Sequence, residues 1–429
     1  MRLRESQPLL VDSTVTRLLL FLQIDNFYED FLRNSHRYQL EGEFMEDVER
    51  SAKPFNINAL NAVFLLGTPP LALIGAIWHG FTFGITWVEG AIFFVWYFAC
   101  GLSITVGYHR LFTHRSHEAR WPLRLGYAMF GAGAFQNSIL EWSSDHRRHH
   151  KETDLTTDPY NAARGFWWSH FLWIIFDEHT GEPDYSNVRD LQKDWVVRFQ
   201  HQFIFSTGFL IGMVAPGLVG YAIGGLGAGI GGFVWGGLVR TVFVHHGTFL
   251  INSAAHVWGK QPYTTENSSK DSFWLAFFTF GEGYHNFHHT FQADYRNGHR
   301  WWQWDPSKWW IKAFSLIKLN DGLKRTPKWA IESARMETRF QKAAADSVQL
   351  HGDSEMGLFQ ARSKQCCEGY RLAMRQVDGM RQQLKRASSE KRQQLVGQIR
   401  QGKESVRLVR DEFSRLLEEM CLATAPVLS

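Results

Sequence analysis

Two stretches of this 429-residue chain carry almost no charge. From Pro54 to His109 the only side chain among Asp, Glu, Lys and Arg is Glu89, and from Phe199 to Val239 there is none. A helix needs about 20 apolar residues to cross the hydrocarbon core of a bilayer. Each stretch is about twice that length and therefore reads as a helical hairpin with two spans. The spans are placed near residues 57–78, 84–106, 201–221 and 226–248. An unusually apolar soluble core is the alternative, but runs this long without charge are rare in soluble domains. The mean hydropathy of the whole chain is slightly negative because its charged residues are segregated elsewhere.

Charge then orients the hairpins. The short connections at 79–84 and 220–225 contain no Lys or Arg, whereas the N-terminal segment, the central loop and the C-terminal part are rich in both. The positive-inside rule places those three regions on the cytoplasmic face of a bacterial inner membrane or endoplasmic reticulum. The expected fold class is an all-α, multi-pass integral membrane protein, its four transmembrane helices capped by a cytosolic helical domain. Its parts are a cytosolic segment 1–53, a membrane and histidine-box domain 54–320, and a helical extension 340–429. Met1–Arg50 is mixed in charge and shows no cleavable signal peptide. Pro69-Pro70 should kink the first span. Gly225, Gly229, Gly232 and Gly236 offer small-xxx-small spacing for close packing in the fourth. Glu89 is read as an interfacial acid reaching toward water.

Three clusters carry the chemistry. His146-Arg147-Arg148-His149-His150 and His285-Asn286-Phe287-His288-His289 each place histidines at i, i+3 and i+4, on one helical face. The third cluster holds His109 and His114, at the end of the first apolar run, and none of the three is expected inside a span. Eight imidazoles exceed the roughly four ligands of one tetrahedral site, so two metals are expected. A nearly all-imidazole set argues against calcium or magnesium. The cysteines (Cys100, Cys366, Cys367 and Cys421) lack CxxC spacing, which argues against iron–sulfur clusters and suggests a reducing compartment. Iron, unlike zinc, changes redox state and can activate dioxygen. The formal charge of +4 is spread along the chain and gives no support to nucleic-acid binding.

The order of these boxes relative to two apolar hairpins resembles the membrane fatty-acid desaturase superfamily. The text GYHRLFTHRSH, AFQNSILEWSSDHRRHH, NSAAH and GEGYHNFHH is similar to its acyl-CoA delta-9 branch. The resemblance covers roughly residues 54–312. It implies two iron ions cycling between Fe2+ and Fe3+, and a ninth ligand, His256, beside His109, His114, His146, His149, His150, His285, His288 and His289. It also implies that Asn252 holds a metal-bound water. His117, His170, His179, His245 and His246 fall outside the ligand pattern and are read as supporting or structural.

The resemblance implies further that a saturated long-chain acyl thioester gains a cis double bond, with O2 as co-substrate and two electrons from a separate donor. Gln136, Trp142 and Thr248 match positions that bend an acyl tunnel. Tyr97 and Gly101 match positions near its end, so Gly101→Phe should shorten the preferred chain. Asn137 and Asp145 match polar contacts to the carrier. Animal acyl-CoA members carry basic residues where this chain has Ser144, Asp177 and Glu178, which leaves CoA, an acyl-carrier protein and a lipid open as carrier. No haem-binding His-Pro-Gly-Gly, ferredoxin cysteine run or GxGxxG after a strand is present, so a ferredoxin, rubredoxin or b-type cytochrome with its reductase is expected as donor.

Hydroxylation of a fatty acid or alkane by the same centre is the nearest alternative, and a histidine-rich metal transporter a remote one. Transporter sites lie near the bilayer midplane on broken helices. The aromatic stretches 165–176, 272–280 and 301–310 are too short to span; they suit either a membrane-resting surface or, for the first two, ordinary core. Beyond Arg339, apolar residues spaced at three and four (Tyr370, Met374, Val377, Met380 and Leu384; Val406, Val409, Phe413, Leu416 and Met420) mark two amphipathic helices. Their expected use is docking or self-association.

Overall fold

A computed structural model describes residues 56–177, 184–347 and 353–422. The calls on segment 1–53, His179 and Glu178 lie outside these residues. The first apolar run forms α1 (Ala59–Phe83) and α2 (Trp87–Leu102), joined through Gly84 at φ +79°. α1 contains no Asp, Glu, Lys or Arg, and Leu60, Val63, Leu71 and Phe81 are among its exposed side chains. It runs unbroken across Pro69-Pro70, so the prolines do not end it. α2 opens with a reciprocal cap: Glu89 accepts from the Thr86 backbone N–H and hydroxyl, and Thr86 Oγ1 accepts from the Val88 N–H. Glu89 is therefore buried rather than extended to water, because it satisfies backbone donors exposed at the helix start.

α2 does not stop at the end of its apolar face. From Ser103 to Thr113 the same helix widens to an i→i+5 coil, seen where the His114 N–H donates to the His109 carbonyl. His109 thus lies on the same helix as the expected second span, three residues beyond that span's end at 106. α3 (Trp121–Ala132) and α4 (Ile139–Glu152) follow; Ser138 and Glu141 form the cap of α4.

The second apolar run is helical from Ile204 to Val257. It leaves helical geometry at Gly224 and at Gly225, whose φ is +72°. Residues on the two sides of this point face each other: a Cβ on Gly232 would overlap the Pro216 carbonyl, and one on Gly229 would meet Tyr221 Cβ at 3.0 Å. We number the two limbs α6 (204–223) and α7 (226–252), with α5 (Trp195–Gln202) before them. Gly229, Gly232 and Gly236 serve close approach, whereas Gly225 serves the turn, where a side chain would be strained. Among the described residues, three helical stretches, Ala59–Phe83, Trp87–Thr113 and Ile204–Val257, are long and apolar enough to cross a membrane.

Further helices among the described residues include α8 (Phe273–Phe278), α9 (His285–Thr290), α10 (Pro306–Leu316), α11 (Lys328–Ser347), α12 (Asp353–Leu384) and α13 (Ser389–Leu422). Trp274 on α8 is 76% exposed and Trp301 86% exposed, so neither belongs to an ordinary core. The two amphipathic stretches read from the sequence lie on α12 and α13, and α11, which begins before residue 339, runs through it without interruption. Its first turns pack Ile331 and Ala334 with Tyr263 and Phe287, while Met336 and Phe340 join a separate core with Tyr370, Val406, Phe413 and Leu416.

Candidate metal centre

The three histidine clusters reach one place by different local means. On a regular helix, residues five apart diverge by about 140° around the axis. The i→i+5 coil ending α2 cancels much of that divergence, and the rings of His109 and His114 lie 4.8 Å apart. On α4 and α9 the ordinary i, i+3, i+4 spacing suffices. His256 follows a break at Ser253, where φ and ψ are −105° and −71°.

Among the described residues, all nine histidines named from the sequence fall into two groups. His109, His114, His146, His150 and His288 form one, and His149, His256, His285 and His289 the other. In the first group, Nε2 to Nε2 separations are 2.9 Å for His109–His288, 2.9 Å for His288–His150, 3.0 Å for His150–His146 and 3.0 Å for His146–His114. In the second they are 3.2 Å for His149–His289, 3.1 Å for His289–His285 and 3.1 Å for His285–His256. Metal–imidazole bonds of about 2.0–2.1 Å place neighbouring donors at right angles about 3 Å apart. His288 and His150 each meet two other Nε2 atoms, which suits a shared cation better than a string of ring-to-ring hydrogen bonds.

Protonation agrees with this geometry. Burial first, then neighbouring imidazoles, holds His114, His146, His150, His285, His288 and His289 well below the usual histidine range. Neutral imidazole is the form that binds metal. Four outer nitrogens are also held from behind. His109 Nδ1 lies 2.9 Å from Glu282, His146 Nδ1 2.8 Å from the Tyr160 hydroxyl, His149 Nδ1 2.9 Å from Asp158, and His256 Nδ1 2.7 Å from Ser268 Oγ. A proton on Nδ1 leaves the Nε2 lone pair facing inward.

Glu282 anchors a buried network. Arg110 Nη2 donates to it at 2.8 Å and also contacts Asp305 at 3.0 Å; Asp305 in turn accepts from the Asn297 and Gly298 N–H groups. Burial pushes the Glu282 carboxyl up, but Arg110 and His109 outweigh it and hold it below its ordinary value. Asp154 supports Ser268, accepting from its backbone N–H and its hydroxyl. Sequence reasoning named none of Asp154, Asp158, Tyr160, Ser268, Glu282 or Arg110 as supports. They lie in turns or on other elements, with no periodicity relative to the ligand they hold. Arg110, inside the first box, and Glu282, within the GEGYH text, stood in the quoted box sequences, but nothing in their spacing marked them as supports.

The remaining candidates are placed as follows. Asn252 is half-buried at the end of α7 and belongs to neither histidine group. Trp142 stacks on His146, ring centroids 4.7 Å apart at 25°. Gln136 Nε2 donates to Thr248 Oγ1 at 2.9 Å, and Gln136 Oε1 is buried without a protein partner. Asn137 is exposed at φ +64°, and Asp145 is half-buried on α4. Ser144 is buried, its hydroxyl donating to the Asp184 carbonyl and to Asn187 Oδ1, which ties α4 to the following loop.

Tyr97 and Gly101 share one narrow cavity with Thr248, Phe278 and Phe280. Gly101 is not open space: a Cβ there would overlap the Phe280 ring. A Gly101→Phe side chain would therefore have to displace the Phe280 ring to enter the cavity. His170 lies 2.9 Å from Ser253 Oγ and 3.1 Å from His246, beside the break before His256; His245 donates to the Ala134 carbonyl, and His117 contacts Ser116.

Comparison with known proteins agrees with the geometry. The chain is 40% identical over 291 residues to acyl-CoA desaturase 1 of Saccharomyces cerevisiae, covering 67% of this chain and 56% of that protein. It is 39% identical over 273 residues to a probable acyl-CoA desaturase of Schizosaccharomyces pombe, covering 63% and 56%. It is 34% identical over 284 residues to the sn-1 stearoyl-lipid 9-desaturase of Anabaena variabilis, covering 66% of this chain and 98% of that protein. The chain thus spans little more than half the length of the two yeast relatives. Residues 85–316, more than half of the chain, match the family model described as fatty acid desaturase, and the chain belongs to that family.

Proposed function

We propose that this protein is a membrane di-iron acyl desaturase that introduces a cis double bond, at the delta-9 position, into a saturated long-chain acyl group. The observation that carries the reading is the pair of largely buried imidazole groups, five and four strong, with Nε2 atoms spaced for metal bonds. Removing hydrogen from an unactivated methylene requires an oxidant that side chains lack; iron in these groups supplies it, with O2 as co-substrate and electrons from a separate carrier protein. His109, His114, His146, His150 and His288 hold one ion, and His149, His256, His285 and His289 the other. Asn252 holds a water beside them.

The chain's own residues position the substrate and exclude water. Trp142, stacked on His146, forms an apolar wall beside the first group, and the Gln136–Thr248 pair links the segment before α4 to α7. Asn137 and Asp145 offer polar contacts for the acyl carrier. The relatives' names include both acyl-CoA and stearoyl-lipid forms.

The proposed topology has four spans in two hairpins, with the histidine groups on the cytoplasmic face. The turns at Gly84 and at Gly224-Gly225, and the exposed apolar sides of α1 and α6, support it. The domain reading follows: 54–320 carries the reaction, and the helices beyond 340 serve docking or self-association.

The test is expression in cells of known fatty-acid profile, beside His149→Ala. New monounsaturated acyl groups from the native chain but not the variant support the proposal. Hydroxylated products, or an active preparation containing zinc and no iron, refute it.

A further inference from the structure

Resting on the four-span topology, we propose that a groove beside α5 holds one phospholipid of the surrounding bilayer, with its phosphate on Arg198. The groove has a volume of about 480 Å³, within the range of small-molecule sites. Leu140, Trp195 and Phe199 give it apolar walls, and Arg198, His201 and Gln202 give it polar groups. A groove that combines an apolar wall with a cation suits an amphiphile.

The sequence of α5, WVVRFQHQ, builds this face. Val196, Val197 and Gln200 are buried, and Gln200 ties the helix inward by accepting from the Ile139 N–H and donating to the Tyr108 hydroxyl. Trp195, Arg198, Phe199 and Gln202 stand at i, i+3, i+4 and i+7, so they share the opposite face. On that face Trp195 is 55% and Phe199 41% exposed. A helix facing water carries polar residues on its outer side, whereas tryptophan beside arginine belongs to the headgroup level of a bilayer. The stripe continues into the second apolar run. Phe199 packs on Phe203 with ring centroids 5.2 Å apart, and Phe205, Phe209 and Leu210 on α6 are exposed in turn. The exposed apolar side of the span thus leads to Arg198 as acyl chains lead to a headgroup.

Charge selects the ligand. The nearby carboxylates are held by other groups: Asp194 pairs with Arg124, Asp190 pairs with Arg147, and Glu141 accepts from Ser138 and Tyr185. Among the described residues no carboxylate pairs with Arg198, which is exposed. A guanidinium fork matches two phosphate oxygens, and basic pockets at the cytoplasmic ends of spans receive lipid headgroups. His201 Nδ1 lies 2.7 Å from Ser138 Oγ, the cap of α4. A lipid seated here therefore braces α5 against the helix that carries His146, His149 and His150.

The experiment purifies the full chain in detergent, strips its lipid and adds phosphatidylglycerol. Retained lipid is counted by native mass spectrometry, and the thermal midpoint is followed in parallel. The native chain should keep one lipid and gain in midpoint, as a ligand of the folded state requires. Arg198→Gln should cut retention about tenfold and remove most of the gain, while Arg198→Lys should keep part of both. Lys312→Gln, at an exposed lysine outside the groove, should change neither. Glycerophosphate, which offers the phosphate without acyl chains, should not raise the midpoint. Equal retention by the native chain and Arg198→Gln, an equal loss in Lys312→Gln, or an equal gain with glycerophosphate overturns the lipid site and leaves the desaturase reading intact. Release of the chain from membranes by alkaline carbonate without detergent overturns the topology beneath it.

Discussion

Replacing Asp158 by asparagine isolates one half of the imidazole cluster. Both carboxylate oxygens of Asp158 lie 2.9 Å from His149 Nδ1. They also accept the backbone N–H groups of Asp154 at 3.0 Å and Tyr160 at 3.3 Å. Asparagine preserves the shape and one acceptor but removes the charge. A hydrogen bond to a charged group contributes about 1.5–3 kcal/mol, against about 0.5–1.5 for a neutral pair. The expected loss at His149 is therefore about 1.4 kcal/mol, or tenfold in metal affinity. That sits at the low end of the 10–100-fold typical of such supporting groups.

Because His149 groups with His256, His285 and His289, only the ion held there should weaken. Purified protein is titrated with a chelator, and bound iron is counted by mass spectrometry. Asp158→Asn should release one ion at about tenfold lower chelator concentration and keep the other. Tyr160→Phe, which removes the hydroxyl beside His146, should move the effect to the five-histidine group. Loss of both ions together in Asp158→Asn, or of neither, would refute the division into halves.

Arg110→Met should lower stability by about 3–5 kcal/mol, since it leaves Glu282 and Asp305 buried without their cation; a thermal midpoint equal to that of the native chain contradicts this. Gly101→Ala should cost about 1–3 kcal/mol, because its new methyl group competes with Phe280 for space; denaturant unfolding in detergent reads it. Acidification should destabilise the metal-stripped protein. The six depressed histidines stay neutral in the fold below about pH 6.5, where the unfolded chain takes up protons. Stability therefore falls as pH drops through that value, by up to about 1.4 kcal/mol per pH unit for each. Asp271, raised by burial to about 7, acts in the opposite sense, binding a proton in the fold that the unfolded chain has lost, but it is one group against six. Tryptophan fluorescence from neutral pH to about pH 5 measures the net effect, and a flat profile is the contrary result.

Much of the candidate site was readable because its histidines share simple spacings. His146, His149 and His150 follow the helical repeat, as do His285, His288 and His289, and any chain that is helical there must cluster them. His109 and His114 are different. Five apart, they meet only because α2 widens, and nothing in the composition of residues 103–113 announces that change. His256 came from resemblance alone, since it follows a backbone break supported by His170 and Ser253. Glu89 was misread for a related reason: charge near the outer end of a span suggests water, but its capping bonds to Thr86 decide otherwise.

What the amino-acid order determined by itself was segregation: two nearly uncharged runs that must be helical and leave water, and histidine triplets that must share faces. These follow from local period and composition, which need no partner. The tertiary structure alone decided which imidazoles share a group, which carboxylates stand behind them, and that Gly101 belongs to Phe280. Those outcomes depend on contacts between residues tens to hundreds of positions apart, such as Arg110 with Glu282 and Asp305, which sequence spacing does not encode.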